Sequence, residues 1–118
     1  MGEQVAWHVE LAVKPGALDD FRTLTGEMVE ATLGEPGVLS YERFVSADGK
    51  VVHVYERYED SAAAVAHLRT FRKTFGDRFM ALVDRTRFTV YGTPSAELRG
   101  ILDGFGAMYL APFGGFAR

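Results

Sequence analysis

The stretch HVYERYEDSAAAVAHLRTFRKTF, residues 53–75, decides the fold of this chain because a strand pattern gives way to a helix pattern within it. Alternation of side chains runs to Tyr58, and Asp60-Ser61 then forms a typical helix N-cap before three alanines. A helical stripe of Ala64, His67 or Leu68, Phe71, Phe75 and Phe79 follows. Gly76 indicates a kink or a junction between two shorter helices. We place the candidate pocket where this strand and helix meet.

Upstream of this stretch, Val5–Val13 alternates with a period of two, which predicts a strand. One face of this strand is strongly apolar and carries Val5, Trp7, Val9, Leu11 and Val13. Residues 17–33 carry apolar side chains at helical spacing, and Gly34 with Pro36-Gly37 ends that helix.

A hairpin is predicted from residues 38–46 and 51–58, which are joined at Asp48-Gly49. If these two residues form the turn, the register places Tyr41 opposite Glu56, Arg43 opposite Val54, Val45 opposite Val52 and Leu39 opposite Tyr58.

A further strand is predicted over residues 86–91, which completes two strand–helix–strand units. The predicted fold class is therefore α+β, with a ferredoxin-like four-stranded antiparallel sheet and two helices on one face. Residues 1–92 would form this domain. Residues 93–118 would form a C-terminal extension with a short helix over 95–102 and a glycine-rich aromatic tail, which we expect to pack on a surface such as that of a partner protomer.

The opposite sheet face would mix charged and aromatic side chains, namely His8, Glu10, Glu42, Phe44, His53, Tyr55, Arg57, Arg87 and Tyr91. Because large aromatics on a bare sheet face usually contact a partner, we predict a homodimer through the sheet faces.

Composition and charge exclude several classes of function. The net charge of −3 gives no electrostatic basis for binding nucleic acid or an anionic membrane surface, and no apolar run approaches the length of a membrane span. The absence of cysteine excludes thiolate catalysis and Cys-type zinc sites. The histidines lack the spacing of a metal motif, so no metal is predicted. A cytoplasmic location is the default expectation.

The helix-side face contains one group of polar residues, and a carboxylate there requires a partner. Glu56, Tyr41 and Arg43 come from the hairpin, and His67 comes from the following helix. One interpretation is a proton-transfer site, with Glu56 and His67 as catalytic residues. In this interpretation Tyr41, Arg43, Trp7, Phe71 and Phe75 contact a flat, apolar, hydroxylated substrate. The alternative is that these polar groups satisfy one another inside a core and that Trp7 and the Phe stripe only pack.

Three segments together resemble the antibiotic biosynthesis monooxygenase family of the dimeric α+β barrel superfamily, over about residues 5–92. They are V-K-P-G at 13–16, E-P-G-V-L-S-Y-E at 35–42 and V-Y-E-R-Y-E-D-S-A-A-A-V-A-H-L at 54–68. The resemblance implies a ferredoxin-like protomer, a dimer through sheet faces and a pocket between sheet and helices. It implies activities such as cofactor-free oxygenation of quinols and anthrones, haem degradation or isomerisation.

The resemblance carries His67 and Glu56 over as site residues, with Tyr41 as a third. Its haem-degrading and anthrone-oxidising members use an Asn and a Trp in the pocket, but this chain has no Asn and its single Trp lies on the first strand. We therefore expect a monooxygenase that needs no cofactor and oxidises a small, quinol-like hydroxylated aromatic. The alternatives are a non-catalytic dimeric protein that binds a small molecule, and an isomerase that uses the same proton-transfer pair.

Overall fold

A computed structural model of the chain describes residues 3–118, so residues 1 and 2 of the predicted domain lie outside the described residues. The described residues form an α+β fold of five strands and four helices. In chain order these are β1 (Val5–Val13), α1 (Leu18–Leu33), β2 (Val38–Val45), β3 (Val51–Tyr58), α2 (Ser61–Thr74), α3 (Gly76–Leu82), β4 (Val83–Tyr91), α4 (Ala96–Asp103) and β5 (Met108–Leu110).

The sheet has the order β2-β3-β1-β4-β5, and its first four strands are antiparallel to their neighbours. This order is the predicted ferredoxin-like arrangement. The alternation of β1 puts its apolar face on the main core, where Val5, Trp7 and Leu11 are almost completely buried. Residues of α1, α2 and α3 pack on that same core.

The hairpin register is confirmed for three of its four predicted pairs. Tyr41 lies opposite Glu56, Arg43 opposite Val54 and Val45 opposite Val52. The prediction that Leu39 faces Tyr58 is wrong, because a register shift lets Val38 take that position. Leu39 is 46% exposed as a result. A bulge of this kind inserts one residue that alternation cannot anticipate.

A second bulge lies in β4 and changes which side chains face the helices. Glu10 pairs with Arg87 and the next residue, Leu11, pairs with Arg85, so Thr86 is the extra residue. The Thr86 hydroxyl donates to the backbone carbonyl of Glu10 at 3.0 Å. Arg85 and Arg87 therefore point to opposite faces of the sheet despite being two residues apart. The strand begins at Val83, three residues before the predicted start.

The helix after β3 is divided as Gly76 suggested, into α2 and α3. Asp60 is the N-cap of α2, and its carboxylate accepts a hydrogen bond of 2.9 Å from the Ala63 amide.

The C-terminal extension adds a fifth strand to the predicted four. β5 pairs in parallel with β4 of the same chain, with Tyr109 opposite Val90. The Phe105 ring stacks on Phe88 at a centroid distance of 5.3 Å. Residues 105–110 thus lie against their own protomer, whereas Phe113 and Phe116 are exposed. Packing of the last residues on a partner stays a prediction.

The outer sheet face has the predicted side chains. The register aligns His8 with Tyr55, and Glu10 with His53 and Arg87. The rings of His8 and His53 share a hydrogen bond of 3.0 Å, and Phe44 is 57% exposed on this face. Within residues 3–118, no helix combines the length and the apolar character that crossing a bilayer requires.

The N-cap of α2 gives a direct test of the fold. Replacing Asp60 with Ala removes the carboxylate that accepts from the Ala63 amide, so the free energy of unfolding should fall by about 1 kcal/mol. Asp60→Asn is the matched control, because asparagine caps helices about as well. Urea denaturation measures both changes. Equal losses in the two variants would contradict a capping role.

Candidate active site

Three adjacent strands place the central side chains of the site side by side. Glu56 on β3 lies opposite Trp7 on β1 and opposite Tyr41 on β2. All three side chains point to the helix side, because each lies on the core-facing parity of its strand. Glu56 is only 6% exposed, so its carboxylate is one of the few charged groups in the core.

The Glu56 carboxylate is hydrogen-bonded through both oxygen atoms. Trp7 Nε1 donates to Oε1 at 3.1 Å, and the Tyr58 hydroxyl donates to the same oxygen. Arg43 Nη2 donates to Oε2 at 2.6 Å and forms a salt bridge there. A buried ion pair is tolerated when further hydrogen bonds satisfy the carboxylate in this way.

These contacts set the charge of the site. Burial acts to raise the pKa of Glu56, but the charge of Arg43, the charge of protonated His67 and the hydrogen bonds outweigh it, so the pKa lies below its ordinary value. Burial, reinforced by the Glu56 charge, holds the pKa of Tyr58 well above its usual range. Burial also raises the pKa of Tyr41 to about 12. The two phenols are therefore neutral donors at neutral pH, and Glu56 is an anion.

Arg43 is held by Tyr41 as well as by Glu56. Its guanidinium carbon lies 3.4 Å from the centroid of the Tyr41 ring, and its side chain is 10% exposed. Its Nε and Nη1 atoms have no hydrogen-bond partner among the side chains and backbone of residues 3–118. Buried N–H groups of this kind are ordinarily satisfied by water or by a ligand.

His67 on α2 is oriented by a residue that the sequence did not single out. Its Nδ1 lies 3.0 Å from Oε1 of Glu35, which follows α1. Its Nε2 lies 3.7 Å from Oε1 of Glu56, beyond hydrogen-bond distance. Since an ionised carboxylate only accepts, Nδ1 carries a hydrogen and Nε2 is turned towards Glu56. Glu35, and not Glu56, is the carboxylate bonded to His67.

The imidazole of His67 is also fixed by aromatic packing. The rings of Tyr41 and Tyr58 each lie 5.4 Å from it, centroid to centroid. His67 is almost fully buried, whereas the Glu35 side chain remains partly exposed. Glu35 therefore connects the buried ring with solvent through one hydrogen bond.

A small space, the inner chamber, lies beside these groups. Its volume is about 40 Å³, and its polar walls are Arg43, Glu56, His67 and Arg85. Trp7, Phe71 and Phe79 are among its apolar walls. An apolar protein cavity that binds benzene measures roughly 150 Å³, whereas one water molecule needs only about 10–15 Å³. The inner chamber therefore has room for a molecule the size of water or dioxygen but not for an aromatic ring.

A larger cleft, the outer groove, adjoins the inner chamber. It has a volume of about 550 Å³ and lies between α2–α3 and α4. Leu68, Phe71, Arg85 and Phe105 line both spaces and so form the boundary between them. This volume is within the range of ordinary small-molecule sites.

The residues predicted to contact a substrate are divided among different places. Trp7 and Arg43 line the inner chamber, and Phe71 lines both the chamber and the groove. Tyr41 lies behind Arg43 and borders a surface cleft beside Glu35. Phe75 is buried in the core and lines neither the chamber nor the groove as described. Phe79, the next residue of the same stripe, contacts Phe71 at 5.1 Å and lines the chamber.

Two residues of the site were not predicted. Glu35 lies in the loop after α1, where only its position in the E-P-G-V-L-S-Y-E segment drew attention to it. Arg85 reaches the chamber because of the β4 bulge, and simple alternation assigns it to the same face as Arg87. No cluster of three or more His, Asp or Glu side chains within the described part of the chain could hold a metal ion.

The Glu56–Arg43 pair predicts a pH-dependent stability. Glu56→Gln leaves Arg43 buried without its counter-charge, so the free energy of unfolding at pH 7 should fall by about 3–5 kcal/mol. Since the folded-state pKa of Glu56 is lowered, the wild type has this stabilisation above pH 4.5, the ordinary value, and loses it as the pH falls through the folded-state pKa. The variant should lack this component of the acid dependence.

Urea denaturation at a series of pH values from roughly 2 to 7, the range in which carboxyl groups titrate, measures the free energy of unfolding of the wild type and the variant. Glu30→Gln is the control, because Glu30 is an exposed carboxylate on α1. If Glu56→Gln and Glu30→Gln have the same small effect, the buried ion pair does not stabilise the fold.

Comparison with known proteins supports the fold described above. MupZ from Pseudomonas fluorescens matches with a TM-score of 0.87 and 23% identity, over 99% of this chain and 96% of its own. Rv0793 from Mycobacterium tuberculosis matches with a TM-score of 0.59 and 27% identity, over 79% and 97%. SnoaB, a cofactor-independent oxygenase from Streptomyces nogalater, matches with a TM-score of 0.68 and 13% identity, over 80% and 97%. A search of the curated proteins finds no match.

The family model for antibiotic biosynthesis monooxygenases matches residues 5–84, which is more than half of the chain and includes Glu35, Glu56 and His67. The family supports a monooxygenase-type function in general terms. The chain belongs to the antibiotic biosynthesis monooxygenase family.

Proposed function

We propose that this protein is a cofactor-independent monooxygenase that acts on a small hydroxylated aromatic of the quinol type. The observation that carries the proposal is the placement of His67. Its Nδ1 is held by Glu35, while its Nε2 is turned towards a small chamber beside a groove large enough for an aromatic molecule. This is the arrangement of a general base with a positioning carboxylate.

The reaction needs no resident cofactor if the substrate itself reduces dioxygen. His67 takes a phenolic proton, and the phenolate transfers one electron to O₂. The radical pair then forms a bond between an oxygen atom and a ring carbon, and the peroxide anion takes the proton back from His67 to become a hydroperoxide. Loss of water from the resulting hydroperoxide breaks the O–O bond and removes the hydrogen of that carbon. One oxygen atom ends in the new carbonyl group and the other in water, and the quinol supplies the four electrons.

The surrounding residues have separate roles in this proposal. Glu35 is a positioning residue that keeps the hydrogen on Nδ1. Its partly exposed carboxylate also balances the positive charge that His67 gains when it takes a proton. The Arg43 guanidinium offers two unpaired nitrogen atoms, Nε and Nη1, as donors to an oxygen anion, such as the reduced dioxygen of the radical pair. Glu56 fixes Arg43, and the hydrogen bonds from Trp7 and Tyr58 keep Glu56 in place.

The volumes of the two spaces assign different reactants to them. The inner chamber suits dioxygen, and the outer groove suits the aromatic substrate. For a hydroxyl group to reach His67, the ring must displace one of the boundary side chains. Phe105 is the candidate, because it belongs to the C-terminal extension and is only partly buried, whereas Leu68 is buried within α2.

Oxygen uptake with a panel of quinols tests the proposal. The wild type should consume one O₂ per quinol and form the hydroxyquinone. His67→Ala should lower kcat by about 10²–10⁴-fold, as loss of a general base does. Glu35→Gln should lower kcat less and change its pH profile. His53→Ala is the matched control, because His53 lies on the outer sheet face, and it should retain activity.

Each negative outcome has a distinct meaning. If no quinol in the panel reduces O₂, the monooxygenase proposal fails for this substrate class. Turnover of a substrate without O₂ would favour the isomerase, and binding without turnover would favour the non-catalytic binding protein. Full activity of His67→Ala would remove His67 from the mechanism.

The outer sheet face supports a further part of this proposal, a homodimer. Phe44 is largely exposed there among aromatic and charged neighbours, and a partner sheet would cover it. Light scattering at micromolar concentration should give twice the mass of one chain, and Phe44→Asp should give a monomer. Leu33→Asp changes an exposed leucine of α1 away from this face and should leave the dimer intact. A monomeric wild type would contradict the proposal.

A further inference from the structure

Arg85 lies at the boundary between the inner chamber and the outer groove and has an unusual environment. Its guanidinium carbon is 4.4 Å from the centroid of Phe105 and 5.2 Å from that of Phe79. Its one side-chain hydrogen bond in the described chain is a 3.3 Å contact from Nη1 to the Met80 sulfur, a weak acceptor. No carboxylate within residues 3–118 lies in salt-bridge distance of it.

Two other arginines of this region, unlike Arg85, each lie near a carboxylate. Arg43, more deeply buried, is paired with Glu56 at 2.6 Å, and Arg87, on the same strand, lies 3.7 Å from Glu10. Burial lowers the pKa of Arg85, and the more distant charge of Glu56 only partly opposes this. A half-buried cation between two aromatic rings is costly unless an anion compensates it.

The outer groove around Arg85 is otherwise mostly apolar. Leu68, Phe71, Met80, Ile101 and Phe105 supply its apolar walls. Its charged residues are Arg72, Asp77 and Arg85, so the walls carry one net positive charge. Three glycines, at positions 76, 100 and 104, leave part of the groove without side chains. Such a groove matches a ligand with an apolar body and one negative charge.

The β4 bulge is what directs Arg85 to this place. Without the extra residue Thr86, Arg85 and Arg87 would share the outer face of the sheet. The C-terminal extension supplies the opposite wall through Gly100, Ile101, Gly104 and Phe105, all outside residues 5–84 of the family match. Two structural features, the bulge and the extension, thus converge on one cation.

We propose that the outer groove binds an apolar organic acid whose carboxylate pairs with the Arg85 guanidinium. The planar guanidinium matches a carboxylate with two parallel hydrogen bonds, and the apolar body of the acid lies along the groove against α4. That this acid is also the substrate of the protein rests on the proposed function. The substrate class is then a hydroxylated aromatic acid whose charged end lies at the boundary with the inner chamber.

Binding of a matched pair of probes tests the inference without any turnover. The probes are 6-hydroxy-2-naphthoate and its uncharged primary amide, and isothermal titration calorimetry measures both dissociation constants. The wild type should bind the acid about 10- to 100-fold more tightly than the amide, as one charge-assisted pair provides. Arg85→Gln should remove that preference. Arg87→Gln, two residues along the same strand, should retain it.

A second variant tests the location of the apolar body. A Cβ at Gly100 would meet nothing within 4 Å, so Gly100→Leu should fold and fill the groove, and neither probe should bind. Gly26→Leu is the matched control, because Gly26 is also helical with open space around it, but lies on α1. Circular dichroism and thermal unfolding confirm that each variant folds.

Three results would overturn the inference. They are equal affinity of the wild type for acid and amide, a retained preference in Arg85→Gln, and undiminished binding in Gly100→Leu. These results are independent of oxygen uptake. If the acid binds as expected but is not oxidised, the binding site stands and the monooxygenase proposal fails for that probe.

Discussion

The buried carboxylate of Glu56 is the interaction on which the site depends. An isolated anion in an apolar core costs several kcal/mol, so its neighbours must supply donors. Trp7 from β1, Tyr58 from β3 and Arg43 from β2 do so, which links three strands through one side chain. The same network fixes Arg43 over Tyr41 and sets the polar wall that His67 faces. Stability and candidate function therefore share the same hydrogen bonds.

The site is divided into two spaces with different chemistry. The inner chamber is small and polar on one side, and it contains the groups able to move a proton or stabilise an oxygen anion. The outer groove is larger and mostly apolar, and Arg85 lies at its inner end without a carboxylate partner among residues 3–118. The four residues between them belong to α2, β4 and the C-terminal extension. Access to His67 is consequently controlled by side chains from both the family core and the extension.

The proton-transfer arrangement differs in one respect from the pair expected from the sequence. Glu56 was expected to orient His67, but its oxygens are occupied by other donors and its nearest approach is 3.7 Å. Glu35 is bonded to the imidazole instead. The two carboxylates lie on opposite sides of the ring, one partly exposed to solvent and one buried at the chamber. In the proposed reaction, such an arrangement would separate the exit of a proton from the place where it is taken up.

Local pattern was sufficient where one residue influences only its neighbours. Alternation in β1, the Asp60 cap, the Asp48-Gly49 turn and the break at Gly76 each follow from short-range physics, and together they predicted the ferredoxin-like order and the Tyr41–Glu56 pair. The same reasoning failed at the two bulges, because one inserted residue moves every side chain beyond it to the opposite face of the sheet. It also missed β5, since three residues without strong alternation pair only because β4 offers a free edge.

The sequence by itself determined the fold class, the burial of Glu56 and the position of His67 on the helix that covers it, since periodicity and turn chemistry decide these. Only the tertiary structure decided that Glu35 bonds His67, that Arg85 enters the site and that the extension closes the groove. Each of these joins residues far apart in the chain, and packing, not local propensity, sets such distances. The opening stretch of strand and helix remains the centre of the site, but its partners come from both ends of the chain.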